Sequence, residues 1–350
     1  MSTLKVTNIQ NPSTSSGGVS IDTSGHVTVD SVAMPSAGPL SNRNKIINGD
    51  MRIDQRNAGA SVTPTTGSYT LDRWALGITQ TSKISVQQSD TGGFGFNKYA
   101  LLTVAATATV GAGDFFQLSQ VIEGSNISDL DWGTTAAKTV TLSFQAFSSV
   151  AGTFGGALKN ADGSRSYPFT YTLAASTWTP ISITIPGDQA GAWLTDNGAG
   201  IAVVFSLGMG STYSGPAGSW AGANYGSATG ATSLMGTAGA TLALTGVQLE
   251  VGSVATPFEH RSYGTELALC QRYYQQRDNT IYVSRGYSNE GYVNYAWPVT
   301  MRDDPILVMT TTFVTSNSLT ADIYGMRGYI LSSWDQGSVS INSMTVSAEL

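Results

Sequence analysis

Along most of the chain, apolar side chains recur at every second position, the spacing that places them on one face of a β-strand. The clearest run is residues 242–250, where Leu242, Leu244, Val247 and Leu249 alternate with Ala243, Thr245, Gln248 and Glu250, apart from one slip at Gly246. A slip on glycine predicts a β-bulge. Residues 83–88, 99–105, 115–122, 139–147, 170–173, 181–185 and 201–207 are further candidate strands. Turn signals separate them at Thr91-Gly92-Gly93, Asn160-Ala161-Asp162-Gly163 and Pro186-Gly187-Asp188. About eight to ten strands within residues 44–261 predict a jelly-roll β-sandwich, whose two facing sheets bury enough apolar area for an independent core.

The period changes after Pro257. Leu267, Cys270 and Tyr274 fall on one helical face, and Ser262 or Thr265 can cap the start, so a short helix is expected at the junction. Alternation then resumes at 280–284, 293–299, 306–313, 328–332 and 344–350, which predicts a smaller β-rich C-terminal domain over residues 262–350. The fold class is therefore all-β. At about 80 residues beyond the helix, and with no disulfide or evident metal, that domain lies near the lower limit for a self-sufficient core. Residues 1–43 form a separate, polar segment. In it Val19, Ile21, Val27 and Val29 flank Asp22-Thr23-Ser24-Gly25 in a hairpin pattern, followed by a proline-containing linker at 33–40. A lone hairpin is marginal in water. This one is either a floppy tail or a docking element that gains burial from a partner.

Composition narrows the function classes. Only 11% of the 350 residues are charged and 40 are glycine, which suits turn-rich β structure better than a helical enzyme. A net charge of -6 with no basic stripe argues against nucleic acid. The single cysteine, Cys270, excludes an internal disulfide. The segment MSTLKVTNIQ lacks the apolar core of a signal peptide, and no apolar run is long enough to span a membrane. Synthesis in a cytoplasm without membrane insertion is expected.

Candidate chemistry is sparse. Asp114, Glu123, Asp129, Asp131 and Glu250 are the carboxylates a glycan-cleaving pair would draw on, but such residues are more often turn formers and caps. Asp50, Asp54 and Glu250 lack the compact spacing of a calcium loop, and His26 and His260 lack metal-ligand spacing, so neither metal nor cofactor is assigned. In Asp72-Arg73-Trp74 the tryptophan reads as core, with the two charges paired near a sheet edge and Arg52 or Arg56 bracing it. Residues 208–240 form a long insertion of small residues in which Trp220 and Tyr225 are candidate binding residues; it is either an ordered cover over a sheet edge or an exposed binding loop. The strongest binding signal is late in the chain. Arg285, Tyr287, Asn289, Tyr292, Asn294, Tyr324 and Arg327 combine flat ring faces with hydrogen-bonding side chains, as adaptable recognition surfaces do. Some of the neighbouring aromatics, Trp297 above all, are expected in the core.

One resemblance organises these features. The run GVQLEVGSVATPFEHRS (246–262) followed by ELALCQRYY (266–274) resembles the junction in bacteriophage tail-fibre and related virion fibre proteins. NKIINGDMRIDQRNAG (44–59), LDRWALG (71–77), VIEGSNISDL (121–130) before KTVTLSFQAFSS (138–149), PVTMRDDP (298–305) and the final VSAEL strengthen it. The resemblance implies a jelly roll similar to carbohydrate-binding modules and a C-terminal tip domain. It also implies a homotrimer, attachment to other virion proteins through the N-terminus, and non-catalytic binding to a host-surface glycan or protein receptor. Virion decoration without a receptor, and a glycan-depolymerising tailspike, are the alternatives. A bacterial adhesin is disfavoured by the missing secretion signal.

Overall fold

The computed structural model describes residues 8–9, 18–29, 32–34, 41–90, 95–277, 281–284, 290–313, 319–324, 328–334 and 338–350. The fold is all-β: among these residues the only α-helix is the one at the junction. The chain opens on a small sheet of β1 (Asn8–Ile9), β2 (Val19–Ile21), β3 (Val27–Val29) and β4 (Val32–Ala33). The expected hairpin is its centre, with Val19 opposite Val29. Asp22 makes the turn, accepting from the backbone of Ser24 and His26, while Gly25 takes the left-handed conformation at φ 86°. Those bonds, from His26 first, hold the Asp22 carboxyl below the usual range.

The sandwich strands follow: β5 (Ser68–Leu71), β6 (Trp74–Ile78), β7 (Ile84–Asp90), β8 (Lys98–Val104), β9 (Phe115–Glu123), β10 (Val140–Ser148), β11 (Gly152–Asn160), β12 (Ser166–Leu173), β13 (Thr179–Ile185) and β14 (Ala199–Met209). The short pair β15 (Ser214–Gly215) and β16 (Ser227–Ala228) precedes β17 (Thr241–Val251). One sheet runs β13-β10-β17-β8-β7, the other β12-β11-β14-β9-β6-β5. All eight alternating segments within 44–261 are strands. A strand starting at Trp74 was expected and is β6; the short β5, β15 and β16 were not anticipated, nor was β11. The last reads GTFGGALKN, too poor in branched apolar residues to register as a strand. Its glycines are there for close approach: a Cβ on Gly156 would lie 2.3 Å from the Val204 carbonyl oxygen and 2.5 Å from the Phe169 ring.

Alternation drives one face of each sheet inward. Val140, Leu142 and Phe144 of β10 and Leu242, Leu244, Val247 and Leu249 of β17 are buried, as are Trp74, Phe116, Leu118, Val203 and Phe205. Aromatic rings join the two layers. Phe205 packs against Phe144 at 5.0 Å and Trp74 at 6.2 Å between ring centroids. Trp74 is fully buried and spends its indole N–H on the Asn48 carbonyl at 3.0 Å, the core role expected of it.

A second compact unit is drawn from residues 53–58, 71–73 and 261–350. Its helix, α1 (Tyr263–Gln271), is capped by Ser262 accepting from Thr265 N, and it buries Cys270, whose thiol pKa is pushed up by that burial. Tyr274 belongs to the following strand and not to the helix. The strands are β18 (Tyr274–Arg277), β19 (Ile281–Ser284), β20 (Glu290–Ala296), β21 (Ile306–Phe313), β22 (Leu319–Tyr324), β23 (Gly328–Trp334) and β24 (Ser338–Ser347). They form one sheet around β24 and another of β20, β23 and β22. The unit is fastened by charge. Arg73 stacks on the Tyr273 ring at 3.5 Å and Arg56 on the Tyr274 ring at 3.6 Å. Both guanidinium groups pair with the carboxylate of Glu349. Asp72 accepts from the backbone and side chain of Gln55, and burial raises its pKa. Replacing Glu349 by Ala leaves two part-buried or buried cations without that carboxylate, and is expected to cost about 3–5 kcal/mol in the stability of this unit. Denaturant unfolding followed by Tyr and Trp fluorescence measures it, and Glu349→Gln, which keeps an acceptor, is expected to cost less.

Candidate functional site

Because both inner faces are filled, ligand chemistry in the sandwich has to lie on an outer one. On β10, Ser143, Gln145 and Phe147 alternate with the buried Leu142, Phe144 and Ala146 and therefore face outward. Cross-strand neighbours on that face include Ser182 and Pro180 of β13, in register with Ser143 and Gln145, and Thr245 of β17.

One end of this face is built up by residues after β17. Here the outward Gln248 and Glu250 are buried and bind the chain that follows. Glu250 accepts from Thr256 N at 2.8 Å and Thr256 Oγ1 at 2.7 Å, and Gln248 accepts from Glu259 N at 2.8 Å. Arg43 closes the network, donating to Thr256 Oγ1 at 2.8 Å and lying 3.4 Å from Glu250. Pinning residues 256–259 fixes Phe258 and His260 beside the sheet. Phe96 completes the set. Gly246, at φ 61°, is the anticipated slip, and the Phe96 ring occupies the space where a Cβ would sit, 2.5 Å away. The rings of Phe96, Phe258 and His260 pack mutually at 5.0–5.6 Å.

Between this ring cluster and β10–β13 lies a groove of about 400 Å³ bordered by Ser143, Gln145, Pro180 and Ser182. The Gln145 Oε1 atom is buried and has no hydrogen-bond partner among the described residues. A buried acceptor left unpaired costs about 1–3 kcal/mol, which a donor on an incoming ligand would recover. Farther along the same face Phe147 packs on Trp178 at 5.7 Å, and Trp178 on Tyr99 at 5.4 Å. The groove thus offers apolar ring faces beside amide and hydroxyl groups, the pairing that suits a ligand with C–H faces and many hydroxyls.

Of the sequence candidates, Trp220 and Tyr225 do not border this groove. The 208–240 insertion is ordered against the six-stranded sheet, with Thr232 N bonded to Thr153 O and Ala221 paired with Ser166. Trp220 is half-buried, donates to Pro186 O at 2.7 Å and packs on Trp132, Trp193 and Tyr167. The Tyr225 ring lies against the Gly215 backbone. Arg285, Tyr287, Asn289 and Arg327 lie outside the described residues, as do the side chains of Tyr292 and Asn294 on β20 and Tyr324 on β22. Trp297 is buried. The carboxylates considered for catalysis are engaged locally. Asp114 accepts from Thr79, Gln80 and Gly111, Glu123 from Ser125, Asp129 from Lys45, and Asp131 pairs with Lys138. Sequence reading did not single out Phe96, Gln145 or Phe258. They come from separate segments, and only the Gly246 slip marked the place where they meet.

No protein-family model matches the chain, and no curated protein matches it. Solved structures are similar at low identity. The enzymatically active domain of tailspike protein 4 of bacteriophage CBA120 aligns over 59% of this chain and 21% of its own, at 13% identity and a TM-score of 0.33. The chain thus spans about a fifth of that tailspike's length. A family 11 carbohydrate-binding module of a cellulosomal cellulase of Clostridium thermocellum aligns over 57% of this chain and 97% of its own, at 12% identity and 0.28. An arabinose-bound α-L-arabinofuranosidase aligns over 62% and 31%, at 12% identity and 0.31. Likenesses of this depth leave the chemistry to be read from the residues themselves.

The geometry predicts the effect of Gly246→Val. A branched residue is disfavoured at positive φ and would displace Phe96, so a loss of about 2–4 kcal/mol is expected from backbone strain and overpacking together. Thermal unfolding and near-ultraviolet circular dichroism of the purified variant check it.

Proposed function

We propose that the protein is a non-catalytic glycan-binding component of a bacteriophage fibre, and that the groove between the Phe96–Phe258–His260 cluster and β10–β13 takes the sugar. The observation that carries the proposal is the buried Gln145 carbonyl, without a partner among the described residues, in a groove walled by aromatic rings. A chain of sugar residues supplies what each wall lacks: hydroxyl donors for Gln145 and the serines, and C–H faces for Phe258 and His260. Weak sites of this kind reach useful avidity when several copies are held together.

Two features support assembly with further copies or with other virion proteins. Ile306 and Val308, two apart on β21, are 73% and 60% exposed, an apolar strip on a small unit. Ile9 and Ile21 of the N-terminal sheet are also exposed, as an element awaiting a docking partner would leave them. The proposed assembly is a homotrimer docked through its N-terminus, with the C-terminal unit as a tip that adds contacts to the host receptor.

Binding of the full chain to an array of host-surface polysaccharides tests the groove. Phe258→Ala and Gln145→Ala are each expected to weaken glycan binding at least tenfold with the fold retained. Release of oligosaccharide would instead assign a depolymerase, and unchanged binding in both variants would reject the groove. Light scattering is expected to give the mass of three chains, and a monodisperse monomer would reject the trimer.

A further inference from the structure

The outer face of the six-stranded sheet holds a second cavity, of about 140 Å³. It is walled by Phe115 and Gln117 of β9, Lys159 of β11, Met209 at the end of β14, and Tyr213 and Asn224 of the insertion. Lys159 differs from most of the chain's other lysines. Lys45, Lys98 and Lys138 each face an aspartate. Lys159 is part-buried, donates to the neutral Asn224 Oδ1 at 3.1 Å, and has no carboxylate in ion-pair range among the described residues. Burial pushes its pKa down, the signature of a cation short of a counter-charge.

The rest of the wall is also unfinished. Neither the Gln117 amide nor the Tyr213 hydroxyl has a hydrogen-bond partner among the described residues, and both border the same space. Phe115 and Tyr213 meet edge-on at 5.5 Å and give that space an apolar side. The space, about 140 Å³ and open on one side, is that of a single ring and not of a chain of rings.

We infer that this cavity is a second binding site, for a single sugar ring bearing a carboxylate, in which Lys159 pairs with the carboxylate, Gln117 and Tyr213 take ring hydroxyls, and Phe115 lies against a C–H face. A neutral ring would leave the part-buried ammonium uncompensated. A dianionic phosphate would meet one point charge and no guanidinium fork. The site lies on the other sheet from the groove and does not depend on it.

Titration of the full chain, followed by NMR, with methyl glucuronide, methyl glucoside and acetate tests the assignment. Methyl glucuronide is expected to bind at least tenfold more tightly than either of the others. Its affinity is expected to fall as pH rises toward the depressed Lys159 pKa, below the ordinary lysine value of 10.5, because only the protonated amine pairs with the carboxylate. Lys159→Met is expected to abolish the preference for glucuronide over glucoside. Tyr213→Phe and Gln117→Ala, which break no side-chain hydrogen bond among the described residues, are expected to weaken glucuronide binding at least threefold and keep the test open should Lys159→Met fail to fold. Phe258→Ala is expected to leave glucuronide binding intact, separating this site from the groove. Equal binding of glucuronide and glucoside, acetate binding as tightly as glucuronide, or unchanged binding in the cavity variants would each overturn the inference.

Discussion

The sandwich depends on burying one face of each sheet against the other. Phe205 stands at the centre of that seam, with Phe144, Phe169 and Trp74 around it. Burial of such large apolar side chains is the main favourable term available to a chain so poor in charge. It also fixes polarity elsewhere. Once Phe144 points inward, Ser143 and Gln145 must point outward, and the period of two converts core packing into a patterned outer surface.

The two outer faces are then finished differently. Beyond the five-stranded sheet, a buried polar network of Glu250, Gln248, Thr256 and Arg43 holds the chain back against β17 and erects a ring cluster beside an open groove. Beyond the six-stranded sheet, a glycine-rich insertion lies so close that side chains on the sheet would collide with it. A Cβ on Gly155 would meet Ser227 Oγ at 2.3 Å, and one on Gly152 would meet Thr232 at 2.3 Å. Glycine in the strand and small residues in the insertion are two halves of one fit. The abundance of glycine, which in the sequence looked like turn material, is partly explained by this layer.

Much of the sandwich was legible because its strands alternate cleanly, as Leu242 to Leu249 do, with even the irregularity at Gly246 readable as a bulge. Strand β11 was not, since Gly155 and Gly156 carry no side chain to alternate, and their reason for being there is the tertiary neighbour at 2.3 Å. The helix start was legible from Ser262, a local cap. The partner of Arg73 was not, because Glu349 lies 276 positions away, and no local spacing encodes so distant a pairing. The groove was illegible for the same reason. Phe96, Gln145, Phe258 and His260 become neighbours only after β10 and β17 pair and the Glu250 network folds the chain back. Composition pointed to aromatics interleaved with amides as the recognition chemistry and singled out the run where such residues are densest in sequence, Arg285 to Arg327, much of which lies outside the described residues.

An orphaned polar atom does not by itself mark a binding site, and the molecule contains its own control. The Tyr171 hydroxyl is also buried without a partner among the described residues, and burial drives its pKa well up. It lies among Phe144, Phe154 and Phe169, inside the seam, where no ligand can reach it without parting the sheets. That hydroxyl is a cost the core tolerates, offset by the ring's own packing. Gln145 has no such compensation. It is on the outward face of β10 and lines the groove, beside hydroxyls and ring faces that a ligand in that groove would also meet. The same unmet hydrogen bond is a packing defect in one place and a binding determinant in the other, and the difference is whether solvent-borne donors can arrive.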